Sequence, residues 1–252
     1  MTLTITTVAE RPELLEPLWQ MPDSWPEFVL NDPIGWACFG QIPVVFPRFA
    51  LIATNTDGDV VARAFSVPFS LDAPDRQKLP AAGWDQVLLW AFSDHRRSVR
   101  PDTVSAIDIT IRPDHHGRGL SATLVAAMRE NAAAEGFTEL VAPVRPTGKS
   151  AHPHVPMTKY AFLTRPDGLP VDPWLRTHVR AGGVIDSVAP TSMTVAGTLD
   201  QWRSWTGLAF DKPGPVEVPG ALTPVHCEPD HDYAVSVEPN VWVRHNLAGT
   251  RD

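Results

Sequence analysis

A glycine-containing turn between a predicted strand and a predicted helix has the residue types and spacing best suited to chemistry. Residues 109–122 read Ile-Thr-Ile-Arg-Pro-Asp-His-His-Gly-Arg-Gly-Leu-Ser-Ala. Gly117 and Gly119 allow a ligand to approach the backbone closely. The first turn of the following helix leaves N–H groups unpaired at the positive end of the helix dipole. Since Arg118 adds a forked cationic donor, the turn is predicted to hold an anion such as a diphosphate.

Asp108 is a candidate proton acceptor on the strand that leads into this turn. Side chains alternate along a strand, so Asp108 and Thr110 share one face, and the isoleucines on either side of them share the other. A carboxylate among isoleucines is either a buried acid with satisfied hydrogen bonds or a functional group. We retain both interpretations and predict that Asp108 acts as a general base.

The hydrophobic periodicity of the sequence predicts the strands and helices that position these residues. Strands are predicted at 2–8, 49–54, 60–67, 103–111, 139–144 and 184–195, with two or three more within 216–243. Helices are predicted at 10–19, 80–97, 121–135, 173–181 and 199–205. Residues 20–47 lack periodicity and are expected to form an ordered loop with one helical turn. This pattern predicts a single α+β domain with a mixed sheet.

Composition narrows the function classes. The chain has 252 residues and a formal net charge of −8, which is the wrong sign for a dedicated nucleic-acid binder. No apolar run approaches the roughly 18 residues of a membrane span, and no signal-peptide pattern opens the chain. Cys38 and Cys227 do not make a disulfide framework. We therefore expect a cytoplasmic protein with neither nucleic-acid nor membrane partners.

The strand, turn and helix resemble the acyl-CoA-binding motif of the GCN5-related N-acetyltransferase (GNAT) superfamily. That motif usually reads Gln or Arg, two residues, Gly, one residue, then Gly or Ala. Here His116-Gly117-Arg118-Gly119-Leu120-Ser121 occupies it, with His116 and Ser121 as departures. The resemblance is sharp over 103–144 and rests on topology beyond 145. It implies a GNAT-like mixed, mostly antiparallel twisted sheet flanked by helices. One domain over 1–252 would carry insertions near 20–47, 72–100, 145–171 and 197–215.

The resemblance also implies an activity: transfer of an acyl group from acetyl-CoA or another acyl-CoA, as co-substrate, to a small-molecule primary amine. The implied CoA-binding residues are Ile109, Ile111, His116, Gly117, Arg118, Gly119, Ser121 and Ala122. Aligning Gly182 with a family glycine places His178 where a tyrosine protonates the leaving CoA thiolate. An imidazole could do this because its ordinary pKa is near neutral. No metal is expected, and a homodimer is left open.

Two other functions are compatible with these residues: a non-catalytic acyl-CoA-binding or regulatory module, and another acyl-CoA reaction such as hydrolysis, decarboxylation or O-acyl transfer. A nucleotide-binding P-loop is disfavoured, because residues 147–150 would need a glycine where Pro143 stands. Zinc is disfavoured because the neighbouring histidines lack ligand spacing. Arg145 or Lys149 could still contact the substrate or the 3′-phosphate of CoA.

Overall fold

The computed structural model describes residues 3–22 and 24–248. Its strands are β1 Thr4–Thr7, β2 Ala50–Thr54, β3 Val60–Phe69, β4 Thr103–Ile111, β5 Glu139–Val144, β6 Val184–Gly197, β7 Gly214–Val216, β8 Val225–Glu228 and β9 Tyr233–Asn246. Its α-helices are α1 Leu15–Gln20, α2 Glu27–Leu30, α3 Pro33–Cys38, α4 Ile42–Val45, α5 Gly83–Arg96, α6 Leu120–Ala134, α7 Met157–Tyr160, α8 Pro173–Arg180 and α9 Leu199–Thr206. The predicted mixed α+β fold is confirmed.

The strands form one sheet in the order β1-β2-β3-β4-β5-β9-β8-β7, and β6 pairs with β9 outside this path. Neighbouring strands are antiparallel except β4 and β5, which run parallel. These two strands pair only at Val104–Leu140 and Ser105–Val141. Beyond those residues they separate, and we call the space between them the gap. The middle of the sheet is therefore open between β4 and β5, next to Asp108.

Residues 20–47 differ from the sequence prediction of a loop with one helical turn. They contain α2, α3 and α4, with short 3-10 turns between and after them. Proline stands at the start of each helix: Pro26 is the N-cap of α2, Pro33 begins α3 and Pro43 lies in the first turn of α4. Proline suits such positions because the first-turn N–H groups have no partner within the helix. Helices this short show no periodicity, which is why the sequence did not reveal them.

Alternation along β5 and β9 separates the two faces of the sheet. One set of side chains packs with Leu175 of α8: Ala142, Val144, Val241 and Val243. The alternate set, which includes Arg145, Asn240 and Trp242, faces the opposite side. On that side Trp242 Nε1 donates to the carbonyl oxygen of Pro80, just before α5, at 2.9 Å. We call the two sides the α8 face and the α5 face.

Candidate active site

A cavity of about 290 Å³ occupies the gap between β4 and β5. It reaches both faces of the sheet, because it is lined by Trp84 from α5 and by Trp174 and His178 from α8. Its remaining lining residues are Trp25, Val29, Leu30, Gly35, Trp36, Phe39, Gly40, Arg63, Ala106, Ile107, Asp108, Ile109, Ala142, Pro143, Val144, Arg145, Met193 and Asn240. Asp108 and His178, which lie far apart in the sequence, are therefore brought to one cavity.

The wall on the α5 face is aromatic. Phe39 and Trp84 stack there, with ring centroids 6.3 Å apart. Trp84 Nε1 donates to the carbonyl oxygen of Ile107 at 2.9 Å, at the point where β4 bulges against β3. Trp36 is 85% exposed although it lines the cavity, so it stands at the mouth. The wall can thus bury an apolar or planar portion of a small molecule.

Asp108 is buried and accepts hydrogen bonds from Arg63, Thr110 and Trp25. Arg63 Nε lies 2.8 Å from Oδ2, Thr110 Oγ1 lies 2.9 Å from Oδ1, and Trp25 Nε1 lies 3.3 Å from Oδ1. The ion pair with Arg63 supplies the counter-charge that a buried carboxylate requires. Both interpretations of Asp108 stay open in this geometry: the acid is well satisfied, and it also lines the cavity.

Arg63 completes this charged pair from the neighbouring strand. It is the only charged residue of β3 and is almost fully buried. Its guanidinium carbon lies 5.5 Å from the centroid of the Trp19 ring and 5.3 Å from that of Phe39. The α5-face wall therefore carries both charges of the Arg63–Asp108 pair against aromatic rings.

His178 is buried on the α8 face, with its ring 4.7 Å from that of Trp174. Its Nδ1 lies 3.0 Å from Nε2 of His245. Burial, together with the neighbouring His245, lowers the pKa of His178 to about 3. The near-neutral pKa of an ordinary imidazole, expected for His178 from its residue type, does not apply to this ring because it is desolvated. At neutral pH His178 is an uncharged hydrogen-bonding group.

The predicted anion turn has the backbone form that its glycines suggested. Gly117 and Gly119 have φ angles of 74° and 76°, in the left-handed region, and Gly119 is the N-cap of α6. An added Cβ at either glycine would meet no protein atom within 4 Å, so the space above them is open. In the described part of the chain, the backbone N–H groups of Gly119, Leu120 and Ser121 have no acceptor. They can therefore serve a bound anion.

The other residues predicted for this turn occupy different environments. The Ala122 N–H donates to the carbonyl oxygen of Gly119 at 3.1 Å, so this amide is already engaged. Arg118 is exposed, and its Nη2 donates to the carbonyl oxygen of Asp114 at 3.1 Å. Ser121 is half-buried in the first turn of α6. Their contacts with CoA stay predictions.

Backbone groups of Ile109 and Ile111 point into the gap. The Arg112 N–H donates to the carbonyl oxygen of Val61 at 2.9 Å, and β3 pairs Ile111 with Ala62. Hydrogen-bonded and non-hydrogen-bonded pairs alternate in an antiparallel ladder. Ile109 and Ile111 thus fall at non-hydrogen-bonded positions, and their N–H and C=O groups turn away from β3. An extended ligand in the gap can bond to them as an added strand would.

His116 already uses one of these backbone groups. Its Nε2 lies 2.8 Å from the carbonyl oxygen of Ile111, while the adjacent His115 turns to Asp114, with Nδ1 2.9 Å from Oδ1. The two neighbouring histidines therefore point to different partners. A ligand that bonds to the Ile111 carbonyl must share this oxygen with His116 or displace the His116 ring.

Lys149 does not reach the cavity. Its side chain is fully buried, and Nζ donates to the carbonyl oxygens of His152, Pro153 and Leu222. Burial lowers the pKa of Lys149. Across residues 3–22 and 24–248, no three His, Cys, Asp or Glu side chains gather in a way that could hold a metal ion. None of the helices in these ranges combines the length and the apolar character needed to span a membrane.

The side chains of Asp32 and Asp85 contact each other next to the cavity-lining residues Gly35 and Trp84. Asp32 caps α3 by accepting from the Gly35 N–H at 2.6 Å, and Asp85 Oδ2 accepts from the Thr194 N–H at 3.2 Å. Oδ1 of each is buried without a partner among the described residues, an arrangement that a shared proton satisfies. Burial, with the charge of Asp32, raises the pKa of Asp85 to about 8.

Sequence reasoning missed Arg63 and Asn240, and it named Arg145 only as a possible contact. Each lies in the cavity lining; Arg63 lies between apolar residues of β3, and Asn240 directly precedes an apolar run of β9, residues 241–243. A polar residue within or beside an apolar run of a strand was the signal in the sequence that could have identified them, and the same signal pointed to Asp108.

Comparisons with known proteins agree with this geometry. The chain is 34% identical to the arginine N-acetyltransferase avaD of Aspergillus versicolor, over 97% of this chain and 94% of the fungal protein. The loading GNATL domain of CurA from Lyngbya majuscula has the same fold, with a TM-score of 0.62, 17% identity, and coverage of 98% of this chain and 99% of that domain. The GphF GNAT-like decarboxylase in complex with isobutyryl-CoA gives a TM-score of 0.55 at 13% identity, over 98% of this chain and 100% of that one. No protein-family model matches the chain.

Proposed function

Because the chain belongs to the GCN5-related N-acetyltransferase superfamily and is an acyltransferase, we propose that it moves an acetyl group from acetyl-CoA to the primary amine of a small molecule. The observation that carries this proposal is the cavity in the gap, which connects the two faces of the sheet. The donor would enter along β4 from the turn before α6. The acceptor would enter through the aromatic wall on the α5 face.

The donor side of the proposal rests on backbone groups. The pyrophosphate of CoA would bind the N–H groups of residues 119–121 at the positive end of α6. The pantetheine arm would run along the unpaired edge of β4 and bond to Ile109 and Ile111. This route leads the thioester toward Asp108. Since the contacts are made by backbone, most side-chain substitutions in the turn would leave them in place.

The acceptor amine would attack the thioester directly. The amine nitrogen bonds to the thioester carbonyl carbon, the C–S bond breaks, and the CoA thiolate leaves. The nitrogen must lose one proton, and Asp108 would accept it directly or through a water molecule. Arg63, Thr110 and Trp25 donate hydrogen bonds to this carboxylate, and the proton would go to the position that is held least tightly. Trp25 makes the longest of these hydrogen bonds, at 3.3 Å.

His178 would act on the leaving group as a neutral ring. With a pKa of about 3 it carries no proton to deliver as an imidazolium at neutral pH. A thiol with a pKa near 8.5 can leave without full protonation, so the thiolate can take its proton from solvent. His178 would then contribute a hydrogen bond from the α8 face rather than a proton transfer.

A thiol-release assay over a panel of amines tests the proposed function. Arginine is the first acceptor to try, because the fungal relative is named for it. Amine-dependent release of CoA supports the proposal. Release without amine would instead indicate another acyl-CoA reaction, and binding of acetyl-CoA without any release would indicate a non-catalytic module.

A further inference from the structure

We propose that the side-chain oxygen of Asn240 binds an N–H group of the acceptor amine and orients it toward the thioester. This inference rests on the proposed function, and it makes Asn240 a positioning residue that selects primary amines. Asn240 belongs to β9 and is only 1% exposed, yet it lines the cavity.

The orientation of the Asn240 carboxamide is fixed by its neighbour. Its Nδ2 donates to the carbonyl oxygen of Pro143 at 3.1 Å. A carbonyl oxygen can only accept, so the atom that faces Pro143 must be the amide nitrogen, and Oδ1 must be the other end. Oδ1 is buried and has no hydrogen-bond partner among the described residues.

A buried acceptor without a donor is costly to a fold, and it calls for a partner that the protein itself does not supply. Arg145 directly follows β5, one residue beyond the Val144–Val241 pair, and it also lines the cavity, but its side chain does not donate to Oδ1. Its Nε and Nη2 are already committed to Glu238, and Nη2 also donates to the carbonyl oxygen of Gly220. The missing donor can therefore come from a molecule in the cavity.

The position of Asn240 identifies that molecule as the acceptor rather than CoA. Asn240 shares the α5 face with Arg145, whose guanidinium carbon lies 5.7 Å from the ring centroid of Trp25. Trp25 in turn donates to Asp108, so Asn240 and the predicted base lie on the same side of the gap. The CoA turn leads into α6, which packs beside α8 on the other face.

Acetylation treats the two N–H groups of a neutral primary amine differently. One N–H is lost on forming the amide, and the other is retained in the product. Asp108 would take the first, and Asn240 Oδ1 would hold the second throughout the reaction. A secondary amine has one N–H group, which it must give up, so it could not satisfy Asn240 and react. The site should therefore prefer a primary amine to its N-methyl derivative.

The test replaces Asn240 with leucine, which has a similar shape and no polar atom. Ser236→Ala is the matched control, because Ser236 is also buried on β9, its Oγ also lacks a partner among the described residues, and it does not line the cavity. The probes are the best primary amine of the panel and its N-methyl derivative. Asn240→Leu should lower kcat/KM for the primary amine by about 10-fold to 100-fold, the effect of losing one buried hydrogen bond. It should also bring the ratio of primary to N-methyl activity close to one, with the affinity for acetyl-CoA unchanged.

Several outcomes would overturn the inference. If Asn240→Leu weakens acetyl-CoA binding while the amine ratio stays as in wild type, the oxygen serves the donor. If the variant keeps wild-type kcat/KM, the oxygen serves neither substrate. If the variant does not fold, the wild-type ratio decides alone, and equal activity on the two amines rejects the inference. Failure of the proposed function is a separate result: no amine would then release CoA from the wild-type protein.

Discussion

The guanidinium of Arg63 and the carboxylate of Asp108 form a buried ion pair where the cavity crosses the sheet, with Nε 2.8 Å from Oδ2. Neither charge has been taken out of water alone, so each depends on the other. The pair ties β3 to β4 beside the gap. Its energetic role and its proposed chemical role must therefore be separated by experiment.

Asp108→Asn tests the chemical role. The amide cannot accept the amine proton, so turnover should fall by about 10²–10⁴-fold, the usual contribution of a general base. Acetyl-CoA binding should change little because the turn before α6 is untouched. Asp94→Asn is the control, since Asp94 is an equally buried partner of Arg76 that does not line the cavity. Both variants should lose stability, about 3–5 kcal/mol for a broken buried pair, but only Asp108→Asn should lose turnover. Equal turnover in the two folded variants would remove Asp108 as the base.

Gly119→Val tests the anion turn. Valine is poorly tolerated at a φ of 76°, and its side chain would project into the open space where the pyrophosphate is proposed to bind. We expect CoA affinity to fall by well over tenfold. Gly58→Val is the control, because Gly58 has a φ of 88° with equally open space but lies at the tip of the β2–β3 hairpin. Calorimetry of CoA binding compares the two, and an unchanged affinity in Gly119→Val would exclude this turn.

The pH dependence of stability tests the environment of His178. Its pKa is about 3 in the fold against an ordinary 6.5, so the unfolded chain binds the proton more readily between these values. The contribution of neutral His178 to the free energy of unfolding should therefore be fully present above pH 6.5 and decline as the pH falls toward 3. His178→Gln should flatten this decline in denaturant melts. Because His178 stays neutral from pH 6 to 9, the same variant should leave the shape of the rate profile over that range intact. A lost alkaline limb would show that His178 titrates after all.

Asp85→Asn tests a pH dependence of stability that runs in the opposite direction to that of His178. A pKa raised to about 8 means that the folded protein keeps a proton that the unfolded chain releases above about pH 4. The contribution of Asp85 to stability therefore declines as pH rises through this window. Asparagine is neutral at every pH, so the melting temperature of the variant should exceed that of the wild type by much more at pH 8.5 than at pH 5. The same difference at both pH values would argue against a shared proton with Asp32.

The predictable parts of the site were those with local signals. Gly117 and Gly119 are separated by a single residue, and the helix that follows has a clear apolar face, so the turn could be placed from the sequence. The N-methyl selectivity inferred for Asn240 depends instead on the pairing of β9 with β5, which joins residues that are distant in the chain. The proline-started helices α2 to α4 were missed because each is too short to repeat. The pKa of His178 was misjudged because burial is a property of the fold and not of the residue type.

We propose that this protein transfers an acetyl group from acetyl-CoA to an amine nitrogen bound in the cavity. The most direct measurement uses acetyl-CoA carrying a ¹³C label in the acetyl carbonyl, incubated with the wild-type protein and the amine panel that includes arginine. We predict by mass spectrometry and NMR that the label appears in an amide of one of the amines, in step with the release of free CoA. Recovery of the label only as acetate, or only as unchanged acetyl-CoA, would contradict the account.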